Sequence, residues 1–143
     1  MQISDKGKQL IFNFEGCKLE AYQCYAGKWT IGYGNTFYED GTKVKQGDKI
    51  TQERAYELFD LIIKDFEKGV SHRLRFPVKQ NQFDALVSHA YNCGYSETIY
   101  RMVNERDNLL SSWWISHYVM AGGKKLNGLV RRRIAERDLY FKY

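Results

Sequence analysis

The strongest constraint on the fold is a change of repeat. Trp29, Ile31 and Tyr33 alternate with Thr30, Gly32 and Gly34, a period of two that describes an extended strand. On either side the apolar residues recur at helical intervals: Leu10, Ile11 and Phe14 before it; Ala55, Leu58, Phe59, Ile62, Phe66 and Val70 after it. Turn signals at Ala26-Gly27, Asp40-Gly41 and Gln46-Gly47 punctuate the extended region. They predict a small antiparallel sheet of two or three short strands. Its glycines leave one face bare, so that a ligand can approach the backbone closely.

The flanking segments carry their own boundary marks. Ser4 is placed to cap a first helix over residues 4–15, and Gly16 to end it in left-handed geometry. Thr51 caps a long helix over about 51–72, and Pro77 ends the connection that follows it. Beyond Pro77 the pattern is helical throughout. One helix carries Phe83, Leu86, Val87 and Ala90 and stops near Gly94, and Ser96 caps a short one through Val103. Asp107 caps another that carries Leu110, Trp113, Trp114 and Tyr118 and ends at Gly122-Gly123. A last helix holds Leu126, Leu129, Val130, Ile134 and Phe141. The adjacent rings of Trp113 and Trp114 read as core on at least one side, or with one ring lining a cleft. The expectation is one α+β domain: a small antiparallel β lobe (about 16–50), a connecting helix, and a larger helical lobe (about 78–143) packed with the N-terminal helix. A cleft between lobes is the default place for a ligand.

Composition narrows the function classes. The 143 residues are 27% charged and 43% hydrophobic with one proline, an ordinary globular mixture long enough for a real core. No run reaches the roughly 20 apolar residues of a membrane span, and the first residues lack the apolar core of a signal peptide, so no stable membrane insertion and no self-encoded export are expected. The three cysteines, Cys17, Cys24 and Cys93, argue against a disulfide framework, and neither they nor the scattered His72, His89 and His117 have metal-ligand spacing. The net charge of +5 suits any polyanionic partner, whether nucleic acid, anionic membrane or acidic wall polymer. The one dense basic run, Arg131-Arg132-Arg133, reads equally as a solvated helix face, partly offset by Glu136 and Asp138.

The chemistry concentrates between Phe14 and Thr36. Glu15 falls in the last turn of the first helix, at the negative end of its dipole, an environment suited to a proton donor. Cys24 supplies a thiol and Thr30 a hydroxyl. Thiolate catalysis needs a base, usually histidine, and none is near Cys24 in sequence. Phosphate binding by a glycine-rich loop needs a lysine that Thr30 to Gly34 lacks. Glycoside hydrolysis needs a carboxylic acid on the leaving oxygen, which Glu15 fits, and a second group to assist water. Residue chemistry alone leaves a glycosidase and a generic binding domain both open.

The spacing Glu15, eight residues, Cys24, five residues, Thr30 resembles the catalytic pattern of the phage-type lysozymes, the muramidase endolysins of glycoside hydrolase family 24, in the variant with cysteine where many relatives carry aspartate. The likeness extends through Phe14-Glu15-Gly16, Ala21-Tyr22, Thr30-Ile31-Gly32-Tyr33-Gly34, Ile50-Thr51, Gln80 to Ser88, and Asn127 to Arg133 with Glu136. The resemblance implies a lysozyme-like fold and hydrolysis of the β-1,4 bond between N-acetylmuramic acid and N-acetylglucosamine in peptidoglycan. It implies Glu15 as general acid, Thr30 as holder of the attacking water, and Cys24 beside them. Gly34, Asn35, Arg132 and Arg133 would contact substrate or, for the arginines, sit near Glu15 or brace the lobe junction. It implies no cofactor and no metal. The partner would be the glycan strands rather than nucleic acid. The chain would act as a monomer, made in the host cytoplasm, reaching the wall through a holin or another export route, and working in the periplasm or outside the cell. The alternative is a catalytically impaired peptidoglycan-binding module of the same fold.

Two departures bear on mechanism. A neutral thiol at Cys24 stabilises positive charge on a sugar less than a carboxylate does, and an ordinary thiol, with its pKa of about 8.5, needs help to ionise near neutrality. Where the family often reads Gly-His-Thr, this chain has Gly34-Asn35-Thr36, and the aspartate that often faces that histidine is replaced by Ile62. Losing both partners together is coherent, because a buried histidine without its acid is costly.

Overall fold

The computed structural model describes residues 1–24 and 26–142. In order, these form α1 (Asp5–Glu15), β1 (Lys18–Gln23), β2 (Trp29–Gly32), α2 (Gln52–Arg73), α3 (Gln80–Cys93), α4 (Glu97–Asn104), α5 (Leu110–Ser116), β3 (Met120–Ala121), β4 (Lys124–Lys125) and α6 (Asn127–Tyr140). They fall into two compact units: Glu15–Asp65, and Met1–Phe14 together with the chain from Phe66 onward. Both boundaries fall within helices, at the end of α1 and inside α2. The mixture of helices and small antiparallel sheets is the expected α+β class.

In the first unit β1 and β2 pair antiparallel, with Tyr22 opposite Thr30 and Gln23 opposite Trp29. Single bridges, Glu20 to Lys49 and Phe37 to Lys43, extend the extended region without adding full strands. Ile31, Val44 and Leu58 form its apolar centre, with Trp29, Tyr38 and Ile50 packed against them. The Asp40-Gly41 turn closes on itself, Asp40 Oδ1 accepting from the Thr42 N–H at 2.9 Å and the Thr42 hydroxyl at 2.7 Å. Thr51 Oγ1 accepts from the Arg54 N–H at 3.1 Å and starts α2 as the sequence predicts.

In the second unit the Ser4 hydroxyl caps α1, accepting from the Gly7 N–H at 3.2 Å. It also donates to Asp84, whose other oxygen takes the Ser4 N–H at 3.0 Å, so the start of α1 is tied to α3. Ser96 caps α4 through the Ile99 N–H at 3.3 Å. α3 packs chiefly on α6, which also receives α5.

Two expectations fail here. The helix carrying Trp113 and Trp114 was expected to reach Gly122-Gly123, but α5 ends at Ser116. The Ser116 hydroxyl donates to the Ser112 carbonyl at 2.9 Å, His117 Nδ1 lies 2.8 Å from the Trp113 carbonyl, and Tyr118 takes a φ of 61°. These side-chain bonds compete with the helical ladder at its end. The glycine pair, at φ 59° and 78°, is instead the turn of the β3–β4 hairpin. The second failure is α6, where Ile134 within the helix and Leu126 and Phe141 at its two ends are exposed while Arg132, Arg133 and Glu136 are buried. The arginine run is therefore not a solvated face at positions 132 and 133.

Candidate active site

Glu15 is the last residue of α1 and is half-buried, and Gly16 follows at φ 67° to turn the chain into β1. Thr30 lies on β2 directly opposite Tyr22, so both side chains project from the same face of the hairpin. Cys24 sits just past β1 in the hairpin connection. Its N–H donates to the Lys28 carbonyl at 2.9 Å, and its own carbonyl accepts from the Gly27 N–H at 2.8 Å. The Thr30 hydroxyl donates to that same Lys28 carbonyl at 3.1 Å. One main-chain acceptor thus fixes both the thiol-bearing turn and the hydroxyl.

The main-chain N–H dipoles of Lys28 and Ala26 favour the anionic form of the sulfur and hold the Cys24 thiol below its ordinary pKa, against an opposing effect of desolvation. The help that an ordinary thiol needs to ionise comes here from main-chain dipoles. Burial raises the Tyr22 phenol, and the negative charges of Cys24 and Glu15 add to the effect. Tyr22 therefore stands in the field of both groups. It is a residue that sequence reasoning did not single out. A signal existed: Tyr22 and Thr30 are equidistant from Ala26, the first residue of the predicted turn.

The other candidates divide. Gly34, at φ 101°, is exposed on a tight loop closed by reciprocal bonds between Ile31 and Asn35, each 2.9 Å. A side chain there would force a disfavoured backbone, and its absence leaves the loop open to close approach. Asn35 is buried at 2% exposure, and its Nδ2 donates to the Leu58 carbonyl at 3.1 Å, so it braces the loop against α2 rather than facing a ligand. This is one helical turn before Ile62, where the absent aspartate would stand. Arg132 and Arg133 are likewise turned inward. Arg133 Nε lies 2.8 Å from Glu136 Oε1 and Arg132 Nε 3.4 Å from Oε2. The Ser88 hydroxyl donates to Glu136 at 2.5 Å and the Trp114 indole at 3.2 Å, which completes a buried network in the helical unit.

Residues 12–136 match the model of the phage lysozyme family. The chain belongs to that family. It is 36% identical to the endolysin of Acyrthosiphon pisum secondary endosymbiont phage 1, over 98% of each chain. It is 38% identical to the endolysin of Bacillus phage PZA, over 98% of this chain and 55% of the relative, so it spans about half the length of that protein. Among solved structures, the endolysin of Escherichia coli phage FAHEc1 superposes with a TM-score of 0.85 at 38% identity, covering 99% of this chain and 94% of the other. The muramidase domain of SpmX from Asticaccaulis excentricus gives 0.85 at 32% identity, covering 99% of both. The phage lysozyme fold therefore accommodates this chain end to end, with the hairpin bearing Cys24 and Thr30 inside the matched region.

Proposed function

We propose that the chain is an endolysin-type muramidase that hydrolyses the β-1,4 bond between N-acetylmuramic acid and N-acetylglucosamine in bacterial peptidoglycan. In this reading Glu15 protonates the leaving oxygen and the Thr30 hydroxyl orients the attacking water. Thr30 donates its proton to the Lys28 carbonyl, so its oxygen keeps acceptor capacity for a water's hydrogen. Cys24 stands beside Thr30 on the same hairpin, and the Lys28 and Ala26 N–H groups lower the cost of its ionising next to that water or the sugar's developing cation. The observation that carries the reading is the shared Lys28 carbonyl, which holds Cys24 and Thr30 together on a hairpin that begins where Glu15 ends α1.

Endolysins act on the cell wall, and the basic surface suits that anionic polymer. Among the described residues, no helix is long and apolar enough to cross a membrane. The reading includes a monomer made in the cytoplasm that reaches the wall by a route another protein supplies, such as a holin. Burial of Arg132 and Arg133 in ion pairs removes them from any nucleic-acid surface and favours the wall over DNA. The test is release of reducing ends from purified peptidoglycan by wild type and Glu15→Gln. Loss of roughly a hundred- to ten-thousandfold is expected for removal of a general acid. Equal lysis by the two proteins overturns the assignment, and lysis by neither leaves the wall-binding module as the better description.

A further inference from the structure

The β-bearing unit contains a cavity of ≈ 290 Å³ that the catalytic assignment does not use. Gly27, Lys28, Trp29, Thr36, Phe37 and Lys43 line it. Phe37 and Lys43 are bridge partners across an antiparallel pair, so their side chains leave the backbone on one face. Phe37 is 50% exposed and shares the lining of the cavity with Lys28 and Lys43.

The charge balance around the cavity is what gives it meaning. The acids of the same loops are already engaged: Glu39 with Arg54, Asp40 with Thr42, and Asp48 with Tyr38 and the Lys45 N–H. Among the described residues neither Lys28 nor Lys43 has a carboxylate in ion-pairing distance. Two uncompensated cations in one lining with an exposed aromatic side chain and Thr36 suit an anion attached to a sugar-sized or side-chain-sized body. Lys28 also joins this cavity to the hairpin, because its carbonyl is the acceptor for Cys24 and Thr30.

We propose that this cavity binds a carboxylate-bearing peptide branch of the glycan substrate, with Lys28 and Lys43 meeting the carboxylate and Phe37 covering the adjoining apolar surface. The assignment rests on the muramidase reading for the identity of the substrate. It makes the β-bearing unit a reader of peptide substitution as well as a carrier of the hydrolytic groups.

The test measures binding without turnover. The probes are a synthetic tetrapeptide of wall composition with free carboxylates, the same peptide with its carboxylates amidated, and glycerol phosphate. Each is titrated against the intact protein while the amide and Trp29 indole resonances are followed. The free tetrapeptide is expected to shift Lys28, Trp29, Phe37 and Lys43. Amidation should weaken it on the order of tenfold, as should the Lys28→Gln/Lys43→Gln pair, and binding should weaken as salt rises. Equal binding of free and amidated peptide overturns the proposal without recourse to any variant. Tighter binding of glycerol phosphate than of tetrapeptide overturns it in favour of a phosphate-bearing wall polymer. Reducing-end release is measured alongside. Hydrolysis without peptide binding removes this proposal alone, and peptide binding without hydrolysis removes the muramidase reading while the peptide site stands.

Discussion

Replacing Glu136 by alanine should be among the most destabilising single changes in the helical unit. Glu136 has 0% exposure, pairs with Arg133, whose Nε lies 2.8 Å from Oε1, and accepts from Arg133 Nη2 at 3.2 Å, the Ser88 hydroxyl at 2.5 Å and the Trp114 indole at 3.2 Å. Its removal strips the carboxylate from Arg132 and Arg133, whose side chains are 3% and 0% exposed, and takes an acceptor from two further buried donors. Breaking a buried pair by deleting one partner costs about 3–5 kcal/mol. At about 3 °C per kcal/mol for a chain of this size, that is a fall in midpoint of roughly 10–15 °C. The comparison is Arg54→Ala, which breaks the Glu39 pair at side-chain exposures of 34% and 42%. Solvent screens that pair, and the loss should stay below about 1 kcal/mol. Urea unfolding followed by tryptophan fluorescence reads both, since Trp114 is itself a partner of Glu136. Similar losses in the two variants would show that burial does not set the worth of these ion pairs and would refute the reasoning. Glu136→Gln, which keeps an acceptor oxygen, should fall between wild type and alanine.

Cys24 should alkylate with iodoacetamide at a lower pH than a free-solution thiol, because the Lys28 and Ala26 N–H groups favour its thiolate. Cys24→Ser should depress reducing-end release and remove the corresponding limb of its pH profile, and full activity in the serine variant would discard the thiolate role. His89 is buried, and desolvation, with Arg133 and Arg132 adding to it, lowers its pKa to about 3. The unfolded histidine therefore binds a proton that the folded one refuses. Its contribution to stability is present above about pH 6.5 and is lost as pH falls toward the folded value, with a slope of up to about 1.4 kcal/mol per pH unit. His89→Leu should flatten the urea midpoint between pH 6.5 and 5, and an unchanged slope counts against it. Tyr22→Phe should keep the fold while shifting the pH dependence of alkylation at Cys24, since Tyr22 lies in the field of both Cys24 and Glu15; an unaltered profile would make Tyr22 a structural neighbour only.

The features legible in the sequence are those written by local chemistry. Ser4, Thr51 and Ser96 announce their helices because a cap needs only the residues that follow it. Glu15 could be placed at a helix end for the same reason, with Gly16 marking the stop. The β3–β4 hairpin was hidden because Gly122-Gly123 serves equally as a helix terminator and a hairpin turn. What decides between them is side-chain bonding at Ser116 and His117, several residues earlier. α6 was misread because periodicity counts apolar residues, and this helix buries its charges: the partners that make this tolerable, Ser88 and Trp114, lie on other helices. The sulfur environment of Cys24 was equally out of reach, since it depends on main-chain N–H groups, which every residue but proline carries.

The shared Lys28 carbonyl has a consequence for how such a site can change over generations. The groups that hold Cys24 and Thr30 in register belong to the polypeptide itself, so any residue other than one that bends the chain differently can supply them. The side chain at position 28 can therefore be exchanged while the main-chain scaffolding that holds Cys24 and Thr30 stays in place.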